Sequence, residues 1–167
     1  MMLPVAGSDP QYRERVYCYE LYHQLKCHWD SSFGFSICGE IDKRGHAYVR
    51  GKYLDNIKPD FLIHQPGKMD STSNLLVIEV KPATANEEEM RKDLRKLTAL
   101  RRDLTNGHGA PANYNYGVFW IYGLPVERWP EVRSRIFHED TLDIDTGLIR
   151  CLIHERPGKA VTEACWQ

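Results

Sequence analysis

Residues 74–81, NLLVIEVK, constrain the fold more than any other stretch of the chain. Side chains alternate along a strand, so Leu76, Ile78 and Val80 face one side of a sheet while Leu75, Val77, Glu79 and Lys81 face the other. Both faces begin apolar, and both therefore need cover. A strand covered on both sides calls for helices packed on a sheet. Glu79 and Lys81 then emerge beside the core, where an unpaired charge is expensive. A mutual salt bridge at a sheet edge is one account of them.

The flanking sequence supplies the covering layers. Downstream, NEEEMRKDLRKLTALRRDLTNG opens with a capping-box pattern, Asn86 with Glu89, and ends at Asn106-Gly107, a common helix stop. Met90, Leu94, Leu97 and Leu104 give this helix one apolar face. The strand GVFWIY, residues 117–122, follows, and the helix between the two strands is long enough for a right-handed parallel crossover. A short helix near 126–138 and a strand near 148–154 complete the C-terminal part. Upstream, the spacing predicts a helix from about residue 10 to 28, with Ser8 or Asp9 as N-cap and Pro10 in its first turn. Tyr17, Leu21 and Leu25 mark its core-facing stripe, and Glu20 projects roughly 60 to 100° to one side of it. FGFSICGEI and HAYVR read as a hairpin around DKRG with Gly45 in the turn, and KPDFLIH (58–64) reads as a strand antiparallel to 74–81. The expected fold is one α/β domain over residues 1–167 with a mixed central sheet flanked by helices.

Composition narrows the function classes. The chain has 167 residues, 42% hydrophobic and 27% charged, and no run approaching the ~18 apolar residues of a membrane span, so a globular, non-membrane protein is expected. The opening MMLPVAGSDP lacks the basic start and apolar core of a secretory signal, and the expected location is cytoplasmic. A net charge of −1 argues against a uniformly basic nucleic-acid-binding surface but leaves room for a local basic groove. The five cysteines form no CxxC pair, which argues against a disulfide framework. His23 and Cys27, four apart on one helical face beside His28, would make half of a zinc site; no second half is evident, and ordinary packing is the expectation.

The charges of NLLVIEVK acquire a second account from Asp60, in the neighbouring strand after Pro59. If the two strands pair antiparallel, Asp60 and Glu79 lie opposite one another on one face. Two such carboxylates repel, and burial raises the pKa of at least one. A divalent cation removes the conflict, and hard oxygen ligands suit Mg²⁺ or Mn²⁺.

Pro59-Asp60, then Glu79-Val80-Lys81 on the next strand, after an acid-bearing helix and before a capped helix and strand, resembles the PD-(D/E)XK nuclease superfamily, also called restriction endonuclease-like. The resemblance spans about residues 10–122; the C-terminal forty-five residues lie outside it. The helix after Lys81 carries no Q-x-x-x-Y pattern and the chain no four-cysteine cluster, so the subfamily stays open. The resemblance implies a core in α-β-β-β-α-β order, here with an extra helix and strand at the C-terminus. It implies metal held by Asp60, Glu79 and the Val80 carbonyl, Lys81 assisting the attacking water, and Glu20 completing the metal shell or holding a second ion. The implied activity is metal-dependent phosphodiester hydrolysis, with DNA ahead of RNA as substrate and internal cleavage. A homodimer or a separate recognition subunit is a further expectation. The alternatives are a catalytically inactive nuclease-like module that binds nucleic acid or a protein partner, and an unrelated α/β binding domain whose E-x-K is an ion pair only.

Lys43, Arg44, Arg50, Lys52 and Lys58 cluster on and after the hairpin, opposed by Asp42 and Asp55, and read either as phosphate contacts or as a solvated surface. Glu40 and Asp42 are expected to lead into the turn rather than to bind metal. The basic residues of the second helix, Arg91, Lys92, Arg95, Lys96, Arg101 and Arg102, are expected on a salt-bridged surface with Glu87–Arg91 and Glu88–Lys92 pairs. Phe119, Trp120 and Tyr122 are expected in the core, and His64 to close its strand.

Overall fold

The computed structural model describes residues 2–3, 11–39, 58–68, 71–101, 112–138 and 141–167. Its centre is a six-stranded mixed sheet built from β3 (Ser36–Gly39), β4 (Phe61–His64), β5 (Asn74–Pro82), β6 (Tyr116–Tyr122), β7 (Ile149–His154) and β8 (Thr162–Ala164), side by side in that order. Two short strands, β1 (Met2–Leu3) and β2 (Gln11–Tyr12), pair separately. β3, β4 and β5 run antiparallel in turn, β5, β6 and β7 run parallel, and β8 returns antiparallel to β7. Helices α2 (Glu87–Arg101) and α3 (Trp129–Ile136) make the two parallel connections, and α1 (Glu14–Cys27) precedes the sheet.

Alternation along the strands sorts the core into two layers. Leu62, Val77, Phe119, Ile121 and Ile153 pack with Leu94 and Leu97 of α2 and with Val132 and Ile136 of α3. Phe61, Ile63, Ile78, Val80, Val118 and Tyr122 pack with Tyr17 and Cys18 of α1. NLLVIEVK is thus covered on both faces, as its composition requires. The stripe Tyr17, Leu21, Leu25 is the face that α1 lays on the sheet.

Local boundaries shift where tertiary pairing overrides local signals. The first helix begins at Glu14 rather than near residue 10, because Gln11–Tyr12 is extended against Met2–Leu3; its N-cap is Arg13, without a side-chain bond. The second helix starts where the capping box places it, with Asn86 Oδ1 accepting from the Glu89 N–H at 2.8 Å. Its surface ion pairs differ from the expected i,i+4 set: Arg91 meets Glu88 at 3.2 Å and Glu87 is taken by Arg135 at 3.5 Å. Arg91 is buried and donates to the carbonyls of Ile136 at 3.2 Å and Arg135 at 3.4 Å, closing the C-terminus of α3. Arg101 donates to Leu148 O at 3.0 Å and Tyr114 O at 2.6 Å, passing so close to Gly117 that a Cβ there would lie 3.2 Å from its side chain. β8 has no counterpart in the sequence reading; Trp166 beyond it packs on Phe119, Trp129 and Phe137. The hairpin partner HAYVR, Glu40, Asp42, Lys43, Arg44, Arg50, Lys52, Asp55, Arg102 and the stop at Asn106-Gly107 lie outside the described residues, as do Ser8, Asp9 and Pro10. Among the described residues no helix is long and apolar enough to cross a membrane.

Candidate active site

β4 ends just where β5 continues. The register Phe61↔Ile78 and Leu62↔Val77 makes Asp60 and Glu79 opposite neighbours, both on the face covered by α2. Beyond Phe61, the first β4 residue, the Val80 N–H finds its acceptor in a side chain: Asp60 Oδ2 takes it at 2.7 Å. The N–H and C=O of one strand residue point to the same edge, so the Val80 carbonyl is turned toward Asp60 as well.

Lys81 follows two residues after Glu79 on the same face, but the two do not pair with each other. Lys81 Nζ donates to Glu14 Oε2 at 2.9 Å and lies 3.1 Å from Asp93 Oδ2. Glu79, only 2% exposed, is met by Lys96 Nζ at 3.3 Å from Oε1. Lys96 also contacts Asp93 Oδ1, so Asp93, 3% exposed, joins the two ammonium groups. The simple salt bridge within E-x-K is therefore replaced by a network of four carboxylates, Glu14, Asp60, Glu79 and Asp93, around two lysines.

Fully ionised, the group carries two more negative than positive charges, and the protonation equilibria reflect that. Burial pushes Asp60 up to about 6, with Glu14 and Asp93 adding to the rise and the Val80 N–H and Lys81 opposing it. Burial, Asp93 and Asp60 likewise hold Glu79 well above the usual carboxylate range. For Lys81, burial works to lower the pKa, but Asp93 and Glu14 outweigh it and keep the ammonium charged. Lys96 is held charged in the same way by Glu79 and Asp93.

Of the residues singled out in the sequence, Asp60, Glu79, Val80 and Lys81 come together. Glu20 does not join them. Its carboxylate accepts from Gln24 Nε2 at 2.7 Å and lines a groove of about 500 Å³ with Tyr17, Trp120, His154 and Val161. The acid that α1 brings to Lys81 is Glu14, one turn before Tyr17. In the groove, Trp120 Nε1 donates to Tyr17 Oη at 2.8 Å, and Tyr17 Oη shares a hydrogen bond with His154 Nδ1 at 2.6 Å. Trp120 is thus half-buried and tethered, while Phe119 and Tyr122 are core residues as expected. His64, at the far end of β4, lies 3.6 Å from Cys38 Sγ, and Lys58 is exposed just before Asp60. His23 and Cys27 sit 3.6 Å apart on the exposed face of α1.

Glu14 and Asp93 escaped the sequence reading, which put Lys96 on a salt-bridged surface rather than at the site, yet both acids left a trace. Glu14 continues the Tyr17, Leu21, Leu25 stripe toward the N-terminus, and Asp93 interrupts the apolar face of Met90, Leu94 and Leu97. Charged residues on a buried stripe need partners nearby. Among the described residues, no three His, Cys, Asp or Glu side chains are gathered in a metal-holding arrangement; the ammonium groups of Lys81 and Lys96 stand among the acids. No family model, no curated protein and no solved structure matches this chain.

Proposed function

We propose that the chain is a metal-dependent nuclease of PD-(D/E)XK type, with a restriction endonuclease-like core, hydrolysing phosphodiester bonds in DNA ahead of RNA. One observation carries this reading: the Asp60 carboxylate sits on the backbone of the E-x-K stretch at 2.7 Å, with Glu79 and Lys81 on the same face of the strand. The strand order agrees, since three antiparallel strands after α1, then α2 and a parallel strand, follow the order that the motif implies.

The donor chemistry fits a hard divalent cation, because Asp60 and Glu79 are crowded carboxylates and both are pushed toward protonation in its absence. Asp60, Glu79 and the Val80 carbonyl would hold Mg²⁺ or Mn²⁺, which when bound lowers the pKa of its water and neutralises charge on the phosphoryl oxygens. Lys81, held charged by Glu14 and Asp93, serves as a donor to the incoming water or to a phosphoryl oxygen, not as a base. Glu14 and Asp93 fix that ammonium from two sides and so restrict where its remaining hydrogens point. Lys58, exposed two residues before Asp60, would supply a neighbouring phosphate contact; the same role is proposed for Lys43, Arg44, Arg50 and Lys52, which lie outside the described residues.

A second reading, an inactive nuclease-like module that binds nucleic acid or a protein partner, is favoured by the lysines themselves. Lys81 and Lys96 pair directly with Glu14, Glu79 and Asp93. Plasmid, linear and single-stranded DNA and RNA, each incubated with Mg²⁺, Mn²⁺ or EDTA, separate the two. Cleavage that needs the divalent ion and is lost in Glu79→Gln supports the nuclease; binding without cleavage in every metal supports the inactive module.

A further inference from the structure

Lys96 reads from the sequence as one of a row of solvated helix residues, yet its ammonium stands 3.3 Å from Glu79 Oε1 and against Asp93 Oδ1, its side chain only 18% exposed. It arrives from the helix, one turn past Asp93, on a flexible four-carbon stem. Lys92, one turn earlier on the same helix, is exposed, and Lys96 keeps 18% of its own side chain exposed, so its stem borders solvent on that side. Lys81, rooted in the strand, is held by Glu14 and Asp93 and makes no ion pair with Glu79 to give up.

The geometry points to Lys96 as the resident cation of the site: it neutralises Glu79 while no divalent ion is bound and gives Glu79 up when one binds. This rests on the nuclease reading and adds to it a determinant of metal occupancy. A positive charge within hydrogen-bonding distance of Glu79 and a Mg²⁺ or Mn²⁺ ion on the same carboxylate disfavour one another by repulsion. Metal affinity is therefore lowered by the fraction of chains in which Lys96 occupies Glu79.

The full chain tests this in two ways, neither of which needs turnover. Calorimetric titration with Mn²⁺ should find Lys96→Gln binding about tenfold or more tighter than wild type, while Lys92→Gln, which removes the same charge from an exposed position, changes affinity by about twofold at most. In the wild-type protein, reductive methylation followed by mass spectrometry should modify Lys96 several-fold faster in saturating Mg²⁺ than in EDTA, and Lys81 no faster. Equal tightening by Lys92→Gln, or no tightening by a folded Lys96→Gln, overturns the role of Lys96 and leaves the metal-site reading standing. So does unchanged labelling of Lys96 in a wild-type sample whose melting temperature shows that Mg²⁺ has bound. If Lys96→Gln does not fold, the wild-type labelling decides alone. Failure of all these proteins to take up either ion overturns the resident-cation role and the metal-site reading together.

Discussion

At the scale of single residues, the chemistry turns on Asp60 and Lys81. Burial dominates at Asp60, lifting it from 3.8 to about 6 against the opposing pull of the Val80 N–H and Lys81, with Glu14 and Asp93 adding to the rise. The folded chain then holds a proton between about pH 4 and 6 that the unfolded chain has released. Its stabilising contribution is complete below about pH 4 and is lost as pH rises through 6, so without a divalent ion the protein should be less stable at pH 7 than at pH 5 on this account. Asp60→Asn keeps an acceptor for Val80 and removes the charge. In EDTA at pH 7 it should unfold at higher temperature than wild type, by the equivalent of about 1 kcal/mol after allowance for partial exposure, with a flatter pH profile from 4 to 6. A profile as steep as that of wild type would take Asp60 out of the account. Lys81→Ala leaves Glu14 without its ammonium and Asp93 with Lys96 alone. It should cost about 2–4 kcal/mol in denaturant titration and lose cleavage by orders of magnitude while still binding Mn²⁺. Wild-type cleavage by that variant, in a preparation free of contaminating nuclease, would remove Lys81 from the mechanism.

At the scale of elements, α2 does two jobs that its charge pattern alone does not separate. Its inner side delivers Asp93 and Lys96 to the end of β5. Its flank carries Arg91, whose guanidinium closes the last carbonyls of α3. Arg91→Met should therefore lower stability by about 2 kcal/mol, as expected for charged hydrogen bonds to buried acceptors, without changing Mn²⁺ affinity. A large fall in that affinity would mean that α2 shifts as a whole when α3 is released. The start of the helix is a milder test: Asn86→Ala removes the cap on Glu89 and should cost about 1 kcal/mol in urea.

At the scale of the molecule, the cluster lies where three elements of the core meet: the first turn of α1, the adjoining ends of β4 and β5, and the inner side of α2. β5 is the strand at which the sheet changes from antiparallel to parallel pairing. An ion bound only by the folded chain stabilises all three parts together, by about 2.7 kcal/mol at one hundred times its dissociation constant. Millimolar Mg²⁺ or Mn²⁺ should thus raise the melting temperature of wild type as one cooperative transition and leave that of Asp60→Asn unchanged. Equal shifts in the two proteins would count against a metal site at Asp60.

Much of this arrangement is legible in the sequence, because it depends on short-range periodicity. The two-residue repeat of NLLVIEVK orients Glu79 and Lys81 together, the loop to FLIH places Asp60 opposite Glu79, and Asn86 starts the following helix where a cap can be satisfied. The tertiary structure alone decided which acid α1 contributes. Glu20 and Glu14 are six residues apart, about 9 Å along a helix axis, and an apolar stripe defines the buried face of a helix but not its position along the sheet. It also decided that Asp93 and Lys96 turn inward. A charged residue beside a buried stripe is driven out into water unless an opposite charge lies within its reach, and that charge is supplied here by Lys81 and Glu79, far along the chain and brought close only by folding.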